Sequence, residues 1–147
     1  MAPTDAQVTA WSALLRAHAA VVPRLAQALQ GAGLPIAWCD VLLVLNAAPG
    51  RRLTMSELGA RAVVSRERVS RVVTELEGAG LVERQANPDD KRSSYAAITP
   101  EGRTRLRLAA PTYLDAIEEH FLQHLSAREI TTVATALQRV VEAEEQH

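Results

Sequence analysis

The chain has 147 residues, 48% of them hydrophobic and only 3% aromatic, so its core must be built from Leu, Val, Ala and Ile, a composition that suits packed helices. No stretch approaches the roughly 18 uninterrupted apolar residues of a transmembrane helix. The start MAPTDAQVTAW lacks the basic head and apolar middle of a signal peptide. The single cysteine, Cys39, excludes an internal disulfide and a multi-cysteine metal site. A cytoplasmic protein without membrane contact is expected. The net charge of −1 hides an asymmetry: residues 51–92 carry a net +2, whereas residues 112–147 carry −5. Fifteen of the sixteen basic residues are Arg, whose planar fork suits phosphate and guanine.

The first helix is expected over 5–30. Val8, Trp11, Leu15, His18, Val22, Leu25 and Leu29 step by three and four and form one stripe. Pro23 predicts a kink near Ala19–Pro23, and Gly31 and Gly33 a stop. Pro35 opens a second helix that runs to about Ala48, apolar nearly all round and hence central. Arg51–Leu53 reads as a short extended link. Thr54-Met-Ser-Glu57 is a capping box that opens a third helix, to about Ala62. Ser65 caps a fourth, from Arg66 to about Ala79, with Val69, Val72, Val73 and Leu76 inward and Gly80 as its stop.

LVERQ and SYAAI then form a two-stranded ribbon around the turn NPDDKR. Thr99-Pro100 starts a fifth helix with the stripe Leu106, Ala110, Tyr113 or Leu114, Ile117 and Phe121, and Pro111 predicts a second kink. Ser126-Ala-Arg-Glu129 caps a sixth helix bearing Ile130, Val133, Ala134, Leu137, Val140 and Val141. The fold class is mainly α with a small β-wing: a winged helix-turn-helix of six helices within one domain, 1–147.

With its valine stripe inward, the fourth helix turns Glu67, Ser70, Arg71 and Thr74 outward and sets Arg66 and Arg68 on the shoulders. Arginine reads guanine bidentately, and short hydroxyls bind bases or phosphates. The amides at Ser65 suit a phosphate. Lys91 and Arg92 lie at the ribbon tip, where an arginine can enter the minor groove, and Asp90 is placed to orient Arg92. Thr54 and Ser56, at the start of the third helix, complete the candidate DNA-binding set: Thr54, Ser56, Ser65, Arg66, Arg68, Ser70, Arg71, Thr74, Lys91 and Arg92.

The wording LTMSELGARAVVSRERVSRVVTELEGAGLVERQANPDDKRSSYAAITPEG resembles the MarR (multiple antibiotic resistance regulator) family. The best matches are Leu53–Leu58, Ser65–Arg71, Leu76–Arg84, Asp90/Arg92 and Thr99–Gly102, and the resemblance extends over essentially the whole chain. It implies a DNA-binding lobe over 34–99 and a homodimer through the helices 5–30 and 100–145. It further implies repression at a pseudo-palindromic operator on double-stranded DNA, relieved by a small molecule. The residues matching Ser65–Arg71 would read the major groove, and Arg92 the minor groove. A two-fold dimer would bury the outer stripes and set two recognition helices about 34 Å apart.

The family's ligand cleft points to Trp11, Arg16, His18 and Trp38 as candidates for a small aromatic or acidic effector. The same tryptophans and histidine also fit a packed core. The tryptophan, arginine and RAH stretch of the first helix resembles the urate-sensing branch, but Thr74 stands where that branch carries an acid. The peroxide-sensing branch uses a cysteine in the first helix. Cys39, in the second, reads as a buried thiol.

No HExxH, P-loop or GxSxG motif is present, so no enzymatic activity and no cofactor are expected. His120 and His124, four apart on the fifth helix, could chelate a metal, with surface histidines as the plainer reading, so no metal site is expected. The alternative function is a winged-helix protein-interaction module without DNA binding.

Overall fold

The computed structural model describes residues 2–147. Six α-helices and a three-stranded antiparallel sheet follow in the order α1 Asp5–Gly31, α2 Ile36–Ala47, β1 Arg52–Thr54, α3 Met55–Arg61, α4 Arg66–Gly78, β2 Val82–Ala86, β3 Ser94–Ile98, α5 Pro100–His120 and α6 Ala127–Glu145. Among the described residues, no single helix is long and apolar enough to cross a membrane.

Local chemistry sets most boundaries. Thr4 and Gln7 form a capping box at α1, Thr54 and Glu57 one at α3, and Ser126 and Glu129 one at α6; each satisfies amides that the first helical turn leaves unpaired. Gly80 ends α4 at φ 78°, a left-handed conformation open to glycine. Around it Gly80 N–H donates to Glu77 O and Leu81 N–H to Leu76 O at 3.0 Å each, while the Leu81 side chain is fully buried.

Several expectations are corrected. The link before α3 is a strand: β1 pairs with β3 at Arg52↔Ala97, Leu53↔Ala96 and Thr54↔Tyr95, so the sheet has three strands in the order β1-β3-β2. Leu53 is buried against α2 and α3, and that burial stabilises so short an edge strand. The first ribbon strand starts at Val82, because Leu81 is spent on closing α4. Pro23 and Pro111 both lie inside continuous helices, where each removes one backbone donor. The fifth helix stops at His120, Phe121 takes φ −135°, and His124 lies in a separate 3₁₀ turn. The two histidines therefore do not share a helical face. Among the described residues, no three His, Cys, Asp or Glu side chains gather as a metal site.

One core runs through the chain. Leu25 and Leu29 of α1, Cys39, Val41, Leu42 and Leu45 of α2, Leu58 of α3, the whole inward stripe of α4, and Leu106, Ala109, Tyr113 and Ala116 of α5 are buried together. The choice on α5 falls to Tyr113, while Leu114 stays 58% exposed. Its hydroxyl donates to Asp40 Oδ1 at 2.8 Å, which ties α5 to α2. Burial raises the Asp40 carboxyl above its usual range, and the Tyr113 hydrogen bond opposes that rise. Burial, together with the nearby Asp40 charge, pushes the Cys39 thiol up to about 11, so it stays protonated and unreactive.

The outer helices differ. α6 has no buried residue in the single chain. Val8, Trp11, Leu14 and Leu15 of α1 and Leu137, Val140 and Val141 of α6 are all exposed.

Candidate nucleic-acid interface

α3 and α4 pack against one another and against the sheet, and the ribbon β2–β3 follows α4 directly. With Val69, Val72, Val73 and Leu76 buried, helical geometry turns the rest of α4 outward. Ser65, Arg66, Arg68, Ser70, Arg71 and Thr74 are all exposed. Among the described residues, none of the three arginines forms an ion pair with a carboxylate. The Ser65 side chain does not cap its helix, although its backbone takes the cap conformation. Its hydroxyl and the first amides of α4 therefore remain available to an oxygen ligand.

Two candidate hydroxyls are already engaged. Thr54 Oγ1 accepts from Glu57 N–H at 3.1 Å, and the pair holds the Glu57 carboxyl below its usual range. Thr74 Oγ1 donates to Ser70 O at 2.9 Å and accepts from Arg84 Nη2 at 3.0 Å. Ser56 is exposed on α3.

Arg84 is the residue that sequence reasoning missed. It lies on β2 opposite Ala96, and its side chain crosses to α4. There Nη2 lies 3.5 Å from Ser70 O and Nε lies 3.6 Å from Glu77 Oε1. One guanidinium thus joins the wing to the outer face of α4. The signal was the strand's alternation: Val82 is buried and Arg84 shares its face, which brings Arg84 over the helix just completed.

At the wing turn, Asp90 Oδ1 accepts from the Arg92 backbone N–H at 3.0 Å, and the Arg92 Nε lies 3.7 Å from the same oxygen. The Arg92 side chain is 95% exposed. Lys91 is exposed beside it. From β1, Arg52 stacks 4.2 Å over the Tyr95 ring and donates to Gln85 Oε1 at 3.1 Å, one register step from the Ala86↔Ser94 pair that carries the turn. It is the cross-strand clamp of the wing.

The four effector candidates are not gathered in one cleft. Trp11, Arg16 and His18 are exposed on α1, and Trp38 is half-buried on α2 against the core. Only His18 lines the apolar groove between α1 and α6, with Leu14, Val21, Phe121, Val133 and Leu137.

A helical head, an outward arginine-bearing helix and a ribbon with basic residues at its turn define a winged helix-turn-helix protein. The MarR family model matches residues 32–93. The full-length fold is similar to Sco3205, a MarR family transcriptional regulator from Streptomyces coelicolor solved in complex with DNA. That likeness has 31% identity and a TM-score of 0.88, covering 97% of this chain and 91% of that one. It is also similar to AbsC, a MarR family transcriptional regulator from the same organism, with 28% identity and a TM-score of 0.89 over 100% of this chain and 99% of that one. The transcriptional regulator HosA of Escherichia coli O111:H- is 35% identical over 68 residues, which are 46% of this chain and only half of that protein's length. The chain belongs to the MarR family of transcription regulators.

Proposed function

We propose that this protein is a cytoplasmic, homodimeric repressor that binds a pseudo-palindromic operator in double-stranded DNA and is released by a small molecule. The observation that carries the reading is the arginine face of α4, Arg66, Arg68 and Arg71, set beside an exposed Arg92 on the wing. Arg68 and Arg71 meet base edges in the major groove with Ser70. Ser65, Arg66, Ser56 and Lys91 hold phosphates. Thr54 and Thr74 act through the geometry of α3 and α4, since their hydroxyls are already bonded within the chain. Asp90 orients Arg92 toward the minor groove. The similar Sco3205 was solved with DNA, which supports the same partner here.

The exposed apolar residues of α1 and α6 supply the dimer contact. A monomer would leave Trp11, Leu14, Leu15, Leu137 and Val141 in water. A second copy across a two-fold axis covers them and spaces two recognition helices by about one turn of DNA.

Fluorescence anisotropy with labelled DNA from the protein's own promoter region tests the reading. Saturable, sequence-dependent binding that weakens steeply with salt is expected. Arg92→Ala, at a side chain with almost no contacts to lose, weakens binding about tenfold without changing stability and lowers the salt slope by about 1. A chain that binds no DNA at low salt is instead the protein-interaction module.

A further inference from the structure

We propose that Arg52 is a positioning residue for DNA binding: from β1 it holds the outer face of the ribbon and so sets Arg92 for the minor groove. This role rests on the DNA-binding reading above.

The strand register divides the sheet into two faces, because successive residues of a strand point to opposite sides. Leu53, Val82, Ala96 and Ile98 face the core and are buried, and Arg84 shares their side. Arg52, Thr54, Glu83, Gln85, Tyr95 and Ala97 lie on the other face. Arg52 starts opposite Ala97, yet its guanidinium lies over Tyr95, two residues nearer the wing turn, and donates to Gln85 Oε1 on the far strand. Gln85 Nε2 in turn donates to Glu83 Oε1 at 2.8 Å, which leaves the amide oxygen for Arg52. One side chain thereby reaches across all three strands.

The reach ends where support is needed. β1 stops at Thr54, opposite Tyr95, so beyond Gln85↔Tyr95 the ribbon continues only as the Ala86↔Ser94 pair and the turn 87–93. A two-stranded ribbon is marginal by itself, and this one carries Arg92, whose side chain is 95% exposed. Among the described residues, the Arg52 bond to Gln85 is the one side-chain hydrogen bond from β1 to the ribbon. At an exposed site such contacts are too weak to hold a whole fold. They are strong enough to narrow the swing of a short ribbon.

The anchor behind Arg52 is α3. β1 runs into that helix without a break, and the Thr54–Glu57 capping box fixes the joint. On the inner face Arg84 ties β2 to α4. The wing is thus fastened to α3 on one face and to α4 on the other, which sets its angle to both helices of the head. A wing already held at that angle loses less freedom when DNA arrives.

Fluorescence anisotropy with promoter DNA and amide hydrogen exchange of the free chain test this together. Arg52→Met keeps an aliphatic stem and removes the fork and the charge. Tyr95→Ala removes the ring and no charge. Each weakens DNA binding about fivefold and speeds exchange over residues 85–94 while α4 exchanges as before. Arg52→Lys, which keeps a cation over the ring, recovers part of the loss. In an Arg92→Ala chain either change weakens binding by less than about twofold, because the wing has no arginine left to position. Undiminished affinity in both variants, or unchanged exchange over the ribbon, overturns the proposal. So does a loss confined to Arg52→Met that persists in the Arg92→Ala chain and lowers the salt slope by about 1, which makes Arg52 a phosphate contact. A wild-type chain that binds no DNA overturns the DNA-binding reading and this role with it, while faster exchange in the variants still upholds the clamp.

Discussion

Replacing Tyr113 with Phe removes one hydroxyl from the α2–α5 contact and leaves the buried ring in place. The lost bond is the 2.8 Å donation to Asp40 Oδ1. A hydrogen bond to a charged acceptor contributes about 1.5–3 kcal/mol. Asp40 is only partly buried, so water replaces some of this, and a loss of about 1–2 kcal/mol at pH 7 is expected. For a chain of this size that lowers Tm by about 3–6 °C.

The pH dependence has a definite sign. Burial raises the folded-state pKa of Asp40, while the Tyr113 bond pulls it down. The folded chain thus binds the Asp40 proton more tightly than the unfolded chain does. Stability falls as pH rises from the unfolded carboxylate value, ~3.9, through the folded one. Without Tyr113's hydroxyl the folded value climbs further, so the variant loses more over a wider window. The gap between variant and wild type is therefore largest at neutral pH. It shrinks to about half near pH 3.5, where the bond has a neutral acceptor and contributes about 0.5–1.5 kcal/mol. Thermal unfolding followed by circular dichroism at one fixed protein concentration measures both numbers. A gap of zero at pH 7, or one that stays constant down to about pH 3.5, would refute the assignment of a charged Asp40 held by Tyr113.

Gly102→Ala in the first turn of α5 sets helix propensity, which favours Ala by about 1 kcal/mol, against a clash. The new Cβ would overlap the Leu81 carbonyl oxygen and lie 2.8 Å from the Ile98 side chain. A backbone oxygen cannot step aside, so a net loss of about 1–3 kcal/mol is expected by urea unfolding. Equal or higher stability would show that α5 can lift off the corner. Arg84→Ala costs under ~1 kcal/mol of stability, because its ion pair is a third exposed. It nevertheless weakens operator binding about fivefold or more by freeing the wing from α4, with partial recovery in Arg84→Lys, and undiminished affinity would remove Arg84 from the mechanism. Leu137→Glu, in the apolar groove of α6, turns a sedimenting dimer into a monomer at micromolar concentration, and a wild-type chain that already sediments as a monomer would end the dimer reading.

What the sequence disclosed follows from range. The stripe Val69, Val72, Val73 and Leu76, the cap at Thr54–Glu57, the stop at Gly80 and the strand Ser94–Ile98 depend on residues within a turn or two of one another, and all stand in the structure. β1 was missed because three residues carry no periodicity; only its pairing with β3 makes it a strand. The histidine pair was misplaced because the helix breaks at Phe121, where no glycine or proline announces a stop. Arg84 has meaning only once β2 is laid beside α4.

The clash at Gly102 marks a joint. Thr99 Oγ1 donates to Gly80 O at 2.7 Å and accepts from Gly102 N–H at 2.9 Å, while Thr99 N–H donates to Leu81 O at 3.0 Å. The end of α4, the roots of both ribbon strands and the start of α5 are thereby pinned at one point. From that point α5 extends 21 residues, about 31 Å, and α4 runs back 13 residues, about 20 Å. Were α4 and α5 to turn together as rigid arms about that point, the arms would be unequal in length. A push of about 3 Å at the far end of α5 is a tilt of about 5–6°, and it swings the Arg66 end of α4 by about 2 Å. Base-edge hydrogen bonds fail when stretched by a fraction of that distance, so on the proposed DNA-binding reading a displacement of that size among the outer helices would be enough to lift the arginine face off its operator.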